Sequence, residues 1–102
     1  MATEMESRSA EVAEILKTLA HPGRLLIACT LVERELSVGQ IEQELGIQQP
    51  ALSRHLKILK TEQVIACRKQ GVSVFYHLSD RKVAALIRFL HETYCGDRHD
   101  AA

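Results

Sequence analysis

The chain has no tryptophan, only two phenylalanines and two tyrosines, two prolines, three cysteines and no net charge. Nowhere among its 102 residues does an apolar run approach the roughly 18 needed to span a bilayer. The N-terminal MATEMESRSAE is polar and acidic rather than a basic region followed by an apolar stretch, so no secretory signal is expected. These absences point to a cytoplasmic protein without a membrane partner. In a reducing compartment, Cys29, Cys67 and Cys95 are not a disulfide framework, and no two of them form a C-x-x-C pair. Any cysteine chemistry has to be assembled by the fold. A length of 102 residues with 46% hydrophobic content suits one domain with one modest core, which dimerisation would help.

Zero net charge counts against a nucleic-acid partner until the charges are placed. Residues 1–47 carry a balance of −4, residues 48–77 a balance of +4, and residues 78–102 cancel. Arg54, Lys57, Lys60, Arg68 and Lys69 therefore give one segment a positive potential within a neutral whole. A solvated face is the plainer explanation unless that segment has an organisation of its own.

It has one. Val12, Ile15, Leu16 and Leu19 recur at helical spacing and predict a first helix from about Ser9 to Ala20. His21-Pro22 interrupts it, and Pro22 suits the opening of a second helix carrying Leu25, Leu26, Cys29, Leu31 and Val32. Ser37 with Gln40 forms a capping-box pattern, Ile41 and Leu45 follow on one side, and Gly46 supplies a stop. In QQPALSRHLKILK, Leu52, Leu56 and Leu59 make one stripe, with Arg54 and Lys57 on the opposite side. Val64 onward changes character: VIACRK and VSVFYHL are rich in β-branched and aromatic residues, with Gln70-Gly71 between them as turn chemistry. Ser79 or Asp80 then caps a last helix marked by Val83, Leu86, Ile87, Leu90 and Tyr94.

Two short helices joined at a glycine, the second apolar inside and basic outside, make a helix-turn-helix, and the basic-tipped hairpin after it makes a wing. The expected fold is mainly α with a β-hairpin wing, a winged helix-turn-helix. Residues 1–8 are expected to be a flexible tail, 9–96 the domain, and 97–102 a C-terminal tail. Within the domain the helix-turn-helix spans about 37–61, the wing about 64–78 and the terminal helix about 80–95. The candidate DNA-binding residues are Gln48, Gln49, Ala51, Ser53, Arg54, His55 and Lys57, with Arg68, Lys69 and Gln70 in the wing. Gln, Ser and Arg can make paired hydrogen bonds to base edges. His55 lies nearer the leucine stripe than Arg54, so phosphate contact and packing at the rim are both open to it.

The chain resembles the ArsR/SmtB winged-helix repressors from Val12 to Cys95, through LKTLAHPGRLLI, ELSVGQIEQELGIQQPALSRHLKILK and VFYHLS. The resemblance implies a homodimer, built through the first and last helices, that holds inverted-repeat operator DNA until an inducer loosens it. Gln63 departs from the pattern, which usually has glycine between recognition helix and wing. Two metal sites of the family are also missing. Where arsenite, cadmium and lead sensors have C-x-C, this chain has Ser37-Val38-Gly39. Where zinc and nickel sensors have Asp-x-His, it has Asp80-Arg81-Lys82, and the second pair of ligands becomes Thr93 and Gly96, with His91 out of register. No metal or other cofactor is expected.

Cys29 and Cys95 remain. Alone, Cys29 is a small hydrophobe in an apolar helix. Together the two resemble the dithiol branch of the family, the BigR-, SqrR- and HlyU-type regulators, with Cys95 fifteen residues after Asp80 as in that pattern. The resemblance implies a redox switch in which reactive sulfur species act as inducer by linking the thiols, directly or through added sulfur, and DNA is released. Cys67 has no counterpart there. A metal- or general redox-responsive repressor, a winged-helix protein-interaction module and a dithiol enzyme are the alternatives. The enzyme is disfavoured because Cys95 ends a helix, where the dipole opposes a thiolate.

Overall fold

The structure, a computed structural model, describes residues 2–95. In chain order it contains α1 (Ala2–Leu19), α2 (Pro22–Thr30), β1 (Leu36–Ser37), α3 (Val38–Leu45), α4 (Ala51–Thr61), β2 (Ile65–Gln70), β3 (Ser73–Leu78) and α5 (Arg81–Tyr94). Two antiparallel pairings, in the strand order β1-β3-β2, tie the wing to the segment that precedes α3. Among the described residues no helix is long and apolar enough to cross a membrane.

Local chemistry sets most boundaries. His21 caps α2 by accepting from the Gly23 amide at 3.0 Å, with Pro22 in the first turn where its missing N–H costs nothing. The capping box at α3 is complete: Ser37 Oγ accepts from the Gln40 amide at 3.2 Å and Gln40 Oε1 from the Ser37 amide at 2.8 Å. Gly46 closes α3 at φ +70°, the left-handed conformation that glycine adopts without penalty. Asp80 caps α5 through the Val83 amide.

The core gathers Ile27 and Ala28 of α2, Leu36, Ile41 of α3, Leu52, Leu56 and Leu59 of α4, Val64, Ile65, and Val83 and Ile87 of α5. The leucine stripe of α4 is thus turned wholly inward, and Ser53, Arg54 and Lys57 stand in solvent.

Three expectations need correcting. Residues 2–8 continue α1 and are not a tail. Ser7 and Ser9 bond back to the Glu4 and Glu6 carbonyls, Arg8 pairs with Glu11, and Glu4 sits in the first turn where the helix dipole favours it. Residues 4–8 are all exposed and hold Met5 as their one large apolar side chain, so hydrophobic periodicity could not mark them. The hairpin turn is Gly71-Val72, because Gln70 pairs with Ser73; the expected Gln70-Gly71 is one residue early. β1 was not expected at all, since two residues carry no period. Residues 96–102, including the expected C-terminal tail, lie outside the described residues.

Gln63, the departure from the family glycine, adopts φ +64°. Its amide bonds the Lys60 carbonyl and the Val64 amide reaches back to Leu59, the paired bonds that close a helix over a left-handed residue. Ser79 Oγ donates to the Gln63 carbonyl at 2.6 Å and joins the start of the wing to the end of β3. The geometry is the one glycine would take, held by a residue with a Cβ. Gln63→Gly is therefore expected to stabilise the fold by about 0.5–1 kcal/mol, relief of left-handed strain less glycine's extra chain entropy. An unchanged or lower denaturant midpoint at constant m would contradict it.

Candidate DNA interface and thiol pair

Gln48 and Gln49 are exposed in the turn before α4, and Ala51 is half-buried at its start. Ser53 Oγ bonds the Gln49 side-chain oxygen, which orders these two polar groups side by side on the outer surface. Arg54 and Lys57 lie on the same exposed side. The structure thus brings Gln48, Gln49, Ser53, Arg54 and Lys57 into one polar, basic ridge.

His55 does not join it. Its ring packs on His21, with centroids 4.6 Å apart and planes tilted by 54°. Of the two roles left open for this residue, the structure places the ring in packing against the start of α2.

The wing holds a second difference. Arg68 Nε donates to Glu35 Oε1 and Oε2 at 2.8 and 3.0 Å, and its NH1 donates to Gln70 Oε1 at 2.8 Å. The guanidinium carbon stands 5.1 Å from the centre of the Phe75 ring. The hydrogen bond from Arg68 holds the Glu35 carboxyl below its ordinary range, and the same bond raises the guanidinium. Arg68, though exposed, is occupied by Glu35 and Gln70, whereas Lys69 stands exposed beside them near the turn. Glu35 escaped the sequence reading because β1, the strand it precedes, was itself invisible there.

Cys29 sits half-buried in the last turn of α2, and Cys95 follows α5 and is exposed. Burial pushes the Cys29 thiol above its ordinary value, and the neighbouring Cys95 thiolate pushes it further. Cys29 and Cys95 belong to the two ends of the packed pair α2 and α5. Cys67 is elsewhere, on β2 opposite Tyr76. Among the described residues no three His, Cys, Asp or Glu side chains converge as metal ligands.

The folded Cys29 thiol titrates above the unfolded one, so the stability it contributes is present below the ordinary cysteine pKa of about 8.5 and is lost as pH rises through the raised value. Iodoacetamide should label Cys95 before Cys29 at neutral pH. In Cys95→Ser the midpoint of Cys29 labelling should move to lower pH, stopping short of the ordinary value because burial persists. A midpoint unmoved by that substitution would show the thiols are not neighbours.

The profile described as "Bacterial regulatory protein, arsR family" matches residues 21–65, from the cap of α2 through the recognition helix to the first wing strand. The biofilm growth-associated repressor of Xylella fastidiosa strain 9a5c is 44% identical over 98 residues, spanning 96% of this chain and 86% of that protein. The transcriptional activator HlyU of Vibrio cholerae is 44% identical over 92 residues, 90% of this chain and 85% of its own. The crystal structure of the transcriptional repressor BigR from Xylella fastidiosa matches with a TM-score of 0.86 at 43% identity, covering 95% of this chain and 96% of that one. With helix-turn-helix, wing and flanking helices all in place, the chain belongs to the arsR family of bacterial regulatory proteins.

Proposed function

We propose that this regulator is a homodimeric repressor of inverted-repeat operator DNA, and that reactive sulfur species release it by joining Cys29 to Cys95. The observation that carries the reading is the packing of α2, which bears Cys29, against α5, which ends at Cys95, in a fold whose α4 presents a polar, basic outer face. The similar Xylella fastidiosa protein is named a repressor and the Vibrio cholerae one an activator, and neither is an enzyme. Neither thiol stands at a helix N-terminus, the place that would make it a low-pKa enzymatic nucleophile.

Apolar side chains left uncovered support the dimer. Val12 and Leu16 of α1 and Phe89 of α5 are 45%, 49% and 63% exposed, although the first two share the face that buries Leu19. A groove of about 520 Å³ between α1 and the start of α5 has Val12, Ile15, Val83 and Leu86 along an apolar floor and charged side chains such as Arg8, Glu11 and Lys82 in the rest of its lining. A second copy covers this surface and sets the two recognition helices about 34–36 Å apart, one turn of DNA.

The chemistry balances with a persulfide. The exposed Cys95 thiolate takes the outer sulfur of a persulfide and expels a thiol, leaving Cys95 as its own persulfide. Cys29 then attacks the Cys95 sulfur, forming the disulfide and releasing hydrosulfide, so two thiols are oxidised and one sulfane sulfur is reduced. With longer polysulfides, extra sulfur atoms remain in the link and relax the Cα separation of about 7 Å that a disulfide tolerates. The tether alters how α5 lies on α2, and because α5 also faces the second copy, the spacing of the recognition helices changes with it.

Cys29→Ser and Cys95→Ser should each bind DNA when reduced and stay bound after polysulfide, while Cys67→Ser should still release. Release by Cys95→Ser equal to the parent would return Cys29 to a packing role. Intact mass after polysulfide, set beside peroxide and oxidised glutathione, separates a sulfur sensor from a general redox sensor.

On the DNA side, Arg54→Ala should cost about 1–3 kcal/mol with loss of sequence preference at one base step. Lys69→Ala should lower the salt slope by about one without changing preference, and Arg68→Ala should lower it less, because Glu35 already neutralises that charge. Equal slopes lost by the two wing variants would put Arg68 on a phosphate after all.

A further inference from the structure

The recognition helix meets α2 through a pair of imidazoles. Gly23 makes room for the meeting, since a Cβ there would stand 3.0 Å from His55 Nε2. His21 is held from the other side, its Nδ1 accepting the Gly23 amide hydrogen, a role open only to an unprotonated nitrogen. His55 Nδ1 is buried and has no hydrogen-bond partner. Every charged or titratable group acting on His55 is basic: His21 and Arg24 from α2, and Arg54 from α4 itself. Arg24 is bound to the Thr18 carbonyl at 2.6 Å, and among the described residues neither imidazole forms an ion pair with a carboxylate.

We propose that His55 is a positioning residue that seats the recognition helix on the first turn of α2, and that acid unseats it and weakens operator binding. The inference rests on the reading of α4 as the DNA-binding helix. Charging either ring sets a new positive charge among Arg24, Arg54 and the other imidazole with no counterion. Charging His21 at Nδ1 also removes the cap of α2. Burial first, then His21, Arg24 and Arg54, keep the His55 imidazole below its ordinary range. The seat is therefore intact above about pH 6.5 and is lost as pH falls from there through the lower folded value. The same helix carries Cys29 six residues beyond Gly23, about 9 Å along its axis, so one short rod touches the recognition helix at one end and the thiol pair at the other.

The test is the affinity of the full chain for a duplex that it selects from random sequence, followed from about pH 8 to about pH 5.5 at fixed ionic strength, a range that spans the imidazole pKa. Ordinary electrostatics has the opposite sign, because a protein that gains positive charge on acidification draws DNA closer. The wild type should instead lose affinity, with a limiting slope of about tenfold per pH unit for each coupled proton. His55→Gln should flatten that slope. So should His21→Asn, which keeps a capping acceptor, removes the second ring and serves if the glutamine variant fails to fold. A wild type that binds at about pH 8 but whose profile parallels both variants, or rises on acidification, overturns the seat and leaves the DNA reading standing. A wild type that selects no sequence at that pH overturns both.

Discussion

Burial of Leu52, Leu56 and Leu59 in the core formed with Ile27, Ala28 and Ile41 decides what the rest of the molecule can do. A helix of eleven residues has only two broad sides, and committing one to three leucines forces Ser53, Arg54 and Lys57 onto the other. The proposed recognition surface is thus a by-product of packing: its residues are outward because the leucines are inward. His55 falls between the two sides, and its ring goes to the protein. Stabilising the core and orienting the reading face are one event, so a lesion at Leu56 would blur the register of Arg54 as well as loosen the fold.

What was legible in the chain follows the same division. Features written in a few adjacent residues could be read directly: the Ser37–Gln40 capping box, the Gly46 stop, the leucine stripe and the β-branched wing strands. Features made by residues distant in sequence could not. Glu35 and Arg68 are 33 positions apart and meet only because β1 pairs with β3 and β3 with β2. His21 and His55 meet only because α2 and α4 cross at a glycine. Residues 2–8 belong to a third kind, a helical stretch, exposed over residues 4–8, that propensity allows but periodicity cannot see. The thiol pair was available only through resemblance, since spacing alone says nothing about two cysteines 66 positions apart.

The connector after α2 ties these parts together. Glu33 pairs with Arg88 of α5 at 3.8 Å, Arg34 with Glu44 of α3, and Glu35 with Arg68 of the wing. Arg88 also donates to the Val32 carbonyl at 3.4 Å. Each contact is partly exposed and weak on its own. Their common origin in three successive residues, four to six positions after Cys29, sets the thiol-bearing helix, the reading head and the wing around one short hub.

The ion pair between Glu35 and Arg68 also bears on how the protein searches a genome. A cation held by an in-built carboxylate releases fewer counterions on any DNA, cognate or not, so it lowers the tightness of binding to the vast excess of irrelevant sequence. A coupling energy of about 1–3 kcal/mol can empty a site only if the occupied state is not much more stable than that. On the proposed reading of α4 as the DNA-binding helix, muting one basic side chain in the wing would keep indiscriminate adhesion shallow and leave a larger share of the hold on DNA to α4.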